Sequence, residues 1–94
     1  MLVIRRLIWD SWNVAHIARH QVNPEEAEEV CHADPVVQQG DKGRFLVFGP
    51  TKSGRMLTVV LDPEGESVYY PVTARAASKR ERAIYAQEKA GEKL

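Results

Sequence analysis

The stretch that decides the fold is residues 44–74, RFLVFGPTKSGRMLTVVLDPEGESVYYPVTA, in which apolar runs alternate with turn-forming segments. The runs RFLVFG, RMLTVVLD and VYYPVTA are rich in β-branched and aromatic residues, and PTKSG and PEGES between them supply proline, glycine and serine. This spacing predicts antiparallel strands joined as hairpins. In residues 55–62, one alternating set is apolar after its leading arginine, so we expect its side chains to face the core: Arg55, Leu57, Val59 and Leu61.

The residues that precede this stretch predict a strand and two helices. Residues 2–9, LVIRRLIW, have the composition of a strand. Asp10 is a suitable N-cap for a helix over residues 11–20, because its carboxylate can accept the free N–H groups of the first turn. The pair Asn23–Pro24 then predicts the start of a second helix, and Asp34–Pro35 predicts its end.

The residues on either side of the hairpins complete the predicted order of elements. VVQQ, residues 36–39, predicts a further strand before them. After them, Ser78 and Glu81 have the spacing of a capping box at the start of a last helix, and residues 88–94 are expected to fray. The prediction is one domain, residues 1–94, of the α+β class in the order β-α-α-β-β-β-β-α. The two early helices pack on one face of an antiparallel sheet, the last helix lies at its edge, and the other face is left as a binding surface.

Composition and charge exclude several classes of protein. Hydrophobic residues make up 44% of the chain and charged residues 28%, which is typical of a globular domain rather than a disordered or membrane protein. The lone Cys31 and the arginines that interrupt the apolar N-terminus predict a cytoplasmic protein without a membrane segment. The formal net charge is zero, yet residues 1–34 carry −3 and residues 35–94 carry +3, so a local basic surface could still hold phosphates.

Five segments resemble, in order, the BrnT family of toxins from type II toxin–antitoxin pairs. They are WD, HIARHQVNPEEAEEV, GRFLVFG, GRMLTVVL and PVTARAASKRERAIY, at residues 9–10, 16–30, 43–49, 54–61 and 71–85. The resemblance implies a RelE-like fold and an endoribonuclease that cleaves single-stranded RNA without a metal or other cofactor. It also implies neutralisation by a cognate antitoxin with a ribbon-helix-helix DNA-binding domain, in a toxin–antitoxin heterotetramer; a homodimer is the other assembly considered. Carried over by position, Arg55, Arg75 and Arg80 match the arginines of the family site.

The first helix departs from the family pattern, which has a lysine after WD and an N-x-x-K-H-G ending. Here Trp12 and Asn13 occupy the lysine region, and His16 stands in place of the asparagine. His20 is followed by Gln21 rather than by glycine.

Metal-free RNA cleavage defines the chemistry that the candidate residues would supply. A guanidinium group stays charged and can grip two phosphate oxygens, which suits it to stabilise charge on the reacting phosphate. Imidazole is the side chain whose unperturbed pKa lies near neutrality, so histidine is the candidate for the proton transfers. The predicted catalytic residues are His16, His20, Arg55, Arg75, Arg80 and Tyr85, and the predicted RNA-binding residues are Arg44, Lys79 and Arg82.

Other interpretations of the same residues remain open at this stage. The cations after Thr73 could form a solvated helix face, and the chain could be a non-catalytic protein-binding or RNA-binding module on the same scaffold. His16 and His20 lie one helical turn apart, a spacing that also suits zinc if a third ligand is present. We expect Trp9 and Trp12 in the core and at its rim rather than as base-stacking platforms.

Overall fold

The computed structural model describes residues 2–92 as one sheet and three α-helices. The strands are β1 (Arg6–Leu7), β2 (Val36–Gln39), β3 (Phe45–Pro50), β4 (Met56–Gly65) and β5 (Val68–Ala76), and the helices are α1 (Ser11–Ala18), α2 (Pro24–His32) and α3 (Lys79–Glu92). This order along the chain confirms the predicted α+β arrangement. The strands lie in the order β1-β5-β4-β3-β2, antiparallel except for the parallel pair of β1 and β5.

The core lies between one face of the sheet and the helices α1 and α2. Leu57, Val59 and Leu61 are completely buried there, which confirms the predicted apolar set of β4. Ile17 of α1 and Val30 of α2 pack against them. The same core encloses further residues, among them Cys31, whose pKa is raised to about 12 by burial. The thiol is therefore a small buried hydrophobe, as predicted.

Side-chain caps begin the first two helices at the predicted residues. An Oδ1 oxygen of Asp10 accepts the N–H of Asn13 at 2.9 Å, and Oδ1 of Asn23 accepts the N–H of Glu26 at 2.8 Å. In both helices the third residue returns a side-chain oxygen to the N–H of the cap, which completes a capping box. The α-helical part of α1 ends at Ala18, earlier than expected, and residues 19–21 form the turn that follows.

Three elements differ in length from the prediction. Only Arg6–Leu7 of the predicted first strand pairs with β5, and Leu2 and Ile4 before it pack against the core. β4 continues through Pro63 to Gly65, with an irregular register that accommodates the proline. α3 continues to Glu92, into the segment that we expected to fray; residues 93 and 94 lie outside the described residues. No helix within residues 2–92 is long and apolar enough to cross a bilayer.

The position of α3 corrects the expectation that the second face of the sheet is open. Thr58 alternates with Leu57 and Val59 along β4, so its side chain lies on the face opposite α1 and α2. Its hydroxyl donates a hydrogen bond of 2.8 Å to Glu81 of α3. The first turn of α3 therefore covers this second face of the sheet, and Thr58 beneath it is completely buried.

Candidate functional site

An ion pair between Arg75 of β5 and Glu81 of α3 is the centre of the candidate site. Nη1 and Nη2 of Arg75 donate to the two carboxylate oxygens of Glu81 at 2.8 and 3.0 Å. The hydrogen bond from Arg75 lowers the pKa of Glu81 to about 2, and the same bond raises the pKa of Arg75. The Glu81 side chain is only 10% exposed, whereas that of Arg75 is 37% exposed. A buried carboxylate thus orients a guanidinium group that solvent can still reach.

The start of α3 lies directly beside this ion pair. Ser78 donates its N–H to Oε1 of Glu81 at 2.8 Å, and its Oγ accepts the N–H of Glu81 at 3.1 Å, which confirms the predicted capping box. Among residues 2–92, nothing accepts a hydrogen bond from the backbone N–H groups of Lys79 and Arg80. Their side chains are exposed. Free N–H groups and the positive end of the helix dipole attract anions, so this turn and Arg75 form one cationic surface.

Two other predicted residues of α3 have structural contacts. Arg82 donates from Nη1 to the carbonyl oxygen of Ala77 at 2.8 Å, across the start of the helix. Tyr85 packs against β3, with its Cε2 atom 3.4 Å from the position that a Cβ on Gly49 would occupy. The Nζ of Lys89 lies 5.5 Å from the centre of the Tyr85 ring. Tyr85 is therefore part of the packing between α3 and the sheet.

Arg44 lies on the same face of the sheet as Arg75, nearer the other end of the strands. Its Nε atom is 3.5 Å from Oδ1 of Asp62, and Asp62 alternates in the same set as Thr58 along β4. The strand rise places Arg44 about 13 Å from the row that contains Thr58 and Arg75. Arg44 can therefore extend the cationic surface only for a ligand that runs along the strands.

The structure places Arg55 on the opposite face of the sheet from Arg75. Its guanidinium donates to the backbone carbonyls of His20 and Gln21, which follow α1, and to a carboxylate oxygen of Glu26 in α2 at 3.3 Å. Arg55 thus satisfies backbone carbonyl groups after the end of α1 and also pairs with Glu26 near the start of α2, so it links the two helices. Of the three arginines that the resemblance assigns to one site, Arg55 therefore lies apart from Arg75.

The two predicted histidines lie with Trp12 on the solvent side of α1. The rings of Trp12 and His16 stack in parallel with centroids 4.9 Å apart, and His16 meets His20 edge to face at 5.9 Å. Trp12 is 58% exposed, contrary to the expectation that it belongs to the core or its rim. Within residues 2–92 no group of three histidine, cysteine, aspartate or glutamate side chains could hold a metal ion, so the third ligand that a zinc site needs is not found there.

The predicted site residues thus lie on both sides of the sheet. Arg75, Lys79 and Arg80 lie at or beside the start of α3, and Tyr85 lies further along the same helix. His16, His20 and Arg55 lie on the other side, beside α1. The sequence identified Glu81 only as part of a capping box and did not assign it to Arg75. Its signal was a glutamate at the third position of a helix whose preceding strand has an arginine as its last residue but one. Thr58, the other partner of Glu81, was not predicted as a site residue.

The fold and the site define a small α+β protein with a cationic surface suited to phosphate groups. A family model described as the ribonuclease toxin BrnT of type II toxin–antitoxin systems matches residues 9–81 of the chain. The chain therefore belongs to the BrnT family of ribonuclease toxins, as the resemblance implied. A toxin of this type implies RNA as substrate and an antitoxin as partner.

The fold is also that of a solved relative. The chain is similar to the 1.1 Å crystal structure of the ribonuclease toxin BrnT from Brucella abortus, with a TM-score of 0.64 and 21% sequence identity. The similarity covers 79% of this chain and 97% of that chain. None of the curated proteins matches the chain.

Proposed function

We propose that this protein is an endoribonuclease that cleaves single-stranded RNA without a metal, at the surface formed by Arg75 and the first turn of α3. The observation that carries the proposal is the bidentate contact between Arg75 and Glu81, which fixes an accessible guanidinium beside the cations Lys79 and Arg80. Family membership supplies the reaction class, and these residues supply a place for the phosphate.

The geometry suits stabilisation of the negative charge that develops when the 2′-hydroxyl attacks the adjacent phosphate. Glu81 uses two of the five N–H donors of Arg75, and the carbonyl of Ala76 accepts a third interaction at 3.3 Å. The remaining donors, together with the N–H groups of Lys79 and Arg80, can contact phosphate oxygens. Donors that are already oriented need no rearrangement during the reaction, which is why such groups stabilise a transition state strongly.

In this proposal we do not assign the proton transfers at this surface to the histidines. His16 lies on α1 and His20 in the turn that follows it, and α1 packs against the other face of the sheet. Arg75 and α3 lie on the opposite side of the sheet from the two histidines. A general base must come within hydrogen-bond reach of the proton that it removes. Charge stabilisation and positioning are therefore the contributions that we assign to the chain at this site.

The partner belongs to the same proposal. We assign the chain a cytoplasmic location, because its RNA substrate and a ribbon-helix-helix antitoxin would both be met there. The expected assembly is a toxin–antitoxin heterotetramer, with a homodimer as the alternative for the free toxin. Co-expression with the product of an adjacent short reading frame tests the identity of the antitoxin. The mass of the complex in solution then distinguishes a heterotetramer from other assemblies.

One observation favours a second function, a binding module without catalysis. Arg75 and Arg55 are each already paired with a carboxylate, Glu81 and Glu26 respectively. If those ion pairs persist when RNA binds, the two arginines can bind the RNA without stabilising charge on a reacting phosphate. Cleavage must therefore be measured separately from binding.

The deciding experiment is cleavage of a long unstructured RNA by the free protein in the presence of a chelator. We expect cleavage by the wild type and a loss of about 100-fold or more in Arg75→Ala, as for removal of a preorganised donor. Arg75→Lys keeps the charge but loses the bidentate geometry, and we expect it to be nearly as inactive. Arg5→Ala removes an exposed arginine near β1 and is the matched control. Folded wild-type protein that binds RNA without cutting it would leave the binding module as the function.

A further inference from the structure

The exposed ring ladder is formed by Trp12 and His16 of α1 and by His20 in the turn that follows, and the chemistry proposed at Arg75 does not use it. Its rings recur at every fourth residue and therefore share one side of the helix. The first two are already stacked in parallel with an interplanar angle of 7°. The fold thus presents an assembled column of aromatic rings to solvent.

The ring of Trp12 retains an accessible surface after this stacking. His16 covers one side of the indole, and 58% of Trp12 remains exposed. Covering the exposed side of the indole with another flat ring would bury apolar surface and gain stacking energy. Trp9 shows the contrast, because its Nε1 donates to Glu28 at 3.0 Å and it packs against the core.

The charges at the His20 end of the ladder favour a ligand that carries negative charge there. α1 itself contains no acidic residue. The carboxylate of Asp10 at its start is engaged by the N–H of Asn13 and by the hydroxyl of Tyr70. At the other end, Arg19 is exposed and Arg55 lies against the carbonyl of His20. Cations therefore flank the ladder where the negative end of the helix dipole would otherwise repel phosphate.

The small extent of the exposed apolar surface around the ladder favours a nucleobase, rather than a protein, as the ligand. The residues beside the ladder on α1 are small or polar, including Ser11, Ala15 and Ala18. A stable protein interface buries on the order of 800 Å² on each partner, with a broad apolar centre. One aromatic column among small side chains matches instead the stacking platforms on which unpaired bases lie.

We propose that Trp12, His16 and His20 form a stacking platform for unpaired bases of single-stranded RNA, with Arg19 and Arg55 contacting its phosphates. This inference rests on the proposed function and adds to it a second place of contact, on the opposite side of the sheet from Arg75. The platform positions the substrate and takes no part in bond cleavage. A bound strand has to pass around an edge of the sheet to reach both places.

The test uses Trp12 as its own reporter. In a Trp9→Phe background Trp12 is the single tryptophan of the chain. The probe is a 2′-deoxy thymidine oligomer, which lacks the hydroxyl needed for cleavage, beside an abasic oligomer of equal length. We expect the thymidine oligomer to quench the fluorescence of Trp12 with saturation and the abasic oligomer to have little effect.

Variants then separate stacking from other effects, with affinity measured by anisotropy of a labelled oligomer. Trp12→Leu should weaken binding of the thymidine oligomer by about tenfold or more, whereas Trp12→Phe, which keeps an aromatic face, should retain most of the affinity. Val14→Ala changes another exposed apolar residue of α1 and should have no effect. Equal affinity of Trp12→Leu and wild type overturns the proposal, as does equal binding of both oligomers. Loss of antitoxin binding by Trp12→Leu without loss of oligomer binding also overturns it, because the ladder is then a protein contact.

Failure of this proposal is distinguishable from failure of the proposed ribonuclease activity. If Arg75→Ala abolishes cleavage while Trp12→Leu binds the oligomer normally, the ladder has no role and the ribonuclease site stands. If the wild type binds through Trp12 but does not cut RNA, the platform stands and the ribonuclease proposal fails.

Discussion

At the scale of single residues, Glu81 has the largest effect on the arrangement of the site. One nearly buried carboxylate accepts hydrogen bonds from Thr58, Arg75 and the N–H of Ser78. It therefore joins a strand, the neighbouring strand and the start of a helix. Because the guanidinium of Arg75 has two donors fixed on this carboxylate, the direction of its other donors is fixed as well.

The charge of Glu81 should make stability depend on pH in the acid range. Its pKa is lowered in the folded protein from about 4.5 to about 2, so its contribution is complete above pH 4.5 and is lost as the pH falls towards 2. In Glu81→Gln we expect a free energy of unfolding about 1–3 kcal/mol lower at pH 7, because Arg75 loses its charged acceptor. We also expect a flatter dependence between pH 4.5 and 2. Urea denaturation of both proteins across this range measures the effect. Parallel curves for the two proteins would show that Glu81 is not the titrating group.

At the scale of elements, the end of α1 carries a local strain. Gln21 has a φ of 57°, in the left-handed region, and the N–H of Val22 donates to the carbonyl of Ile17 at 3.2 Å. The N–H of Gln21 donates to Ala18, so the two bonds form a Schellman motif. Glycine adopts this conformation most easily, and the family pattern has glycine at this position.

Replacement of this residue should stabilise the protein. We expect Gln21→Gly to raise the free energy of unfolding by about 0.5–1 kcal/mol, because glycine removes the steric cost of the left-handed conformation. The backbone carbonyl that accepts from Arg55 is retained. Gln21→Ala is the matched control and should give no such gain, because it keeps a Cβ. Equal changes in both variants, measured by thermal denaturation, would contradict this origin of the gain.

The start of α3 shows a conflict between stability and binding. Lys79 and Arg80 occupy the first turn, where the helix dipole disfavours cations. We expect Lys79→Glu to increase the free energy of unfolding by about 0.3–1 kcal/mol and to weaken binding of single-stranded RNA. Lys52→Glu makes the same charge change in the turn between β3 and β4 and should leave RNA binding nearly unchanged. Denaturation and filter binding on the same samples test the opposite signs. Lys79→Glu with undiminished RNA affinity would remove this turn from the site.

At the scale of the whole molecule, the chain has no net charge but an uneven charge distribution. Residues 1–34 carry −3 and residues 35–94 carry +3, and α3 and β5 hold the cations of the candidate site. A few localised phosphate contacts, rather than a general basic coat, should therefore govern the binding of RNA.

The salt dependence of RNA binding counts these contacts. With three phosphates held by Arg75, Lys79 and Arg80 and two more held by Arg19 and Arg55, the logarithm of the association constant should fall with the logarithm of salt concentration with a slope of about −3.5. Arg80→Ala should make the slope shallower by about 0.7. Arg5→Ala should leave it unchanged, because Arg5 belongs to neither of the two proposed contact surfaces. A wild-type slope near zero would exclude phosphate contacts as the source of affinity.

The sequence by itself determined the elements, because their signals are local. The alternation of Leu57, Val59 and Leu61 fixed the buried face of β4, and the caps Asp10, Asn23 and Ser78 fixed the starts of the helices. The ordered segments also determined the family. The elements depend on residues close together in the chain, where steric preference and hydrogen bonding act without distant partners.

Only the tertiary structure decided which side chains share a site. Arg55 precedes β4 and Arg75 lies near the end of β5, so the antiparallel pairing brings both to the same end of the sheet. Their side chains nevertheless lie on opposite faces of the sheet. The pairing of Arg75 with Glu81, the stacking of Trp12 on His16 and the placement of α3 over Thr58 were likewise not predicted. The physical reason is that these contacts depend on which face of the sheet each helix covers. That placement is determined by burial of the core, which involves residues distant from one another in the chain.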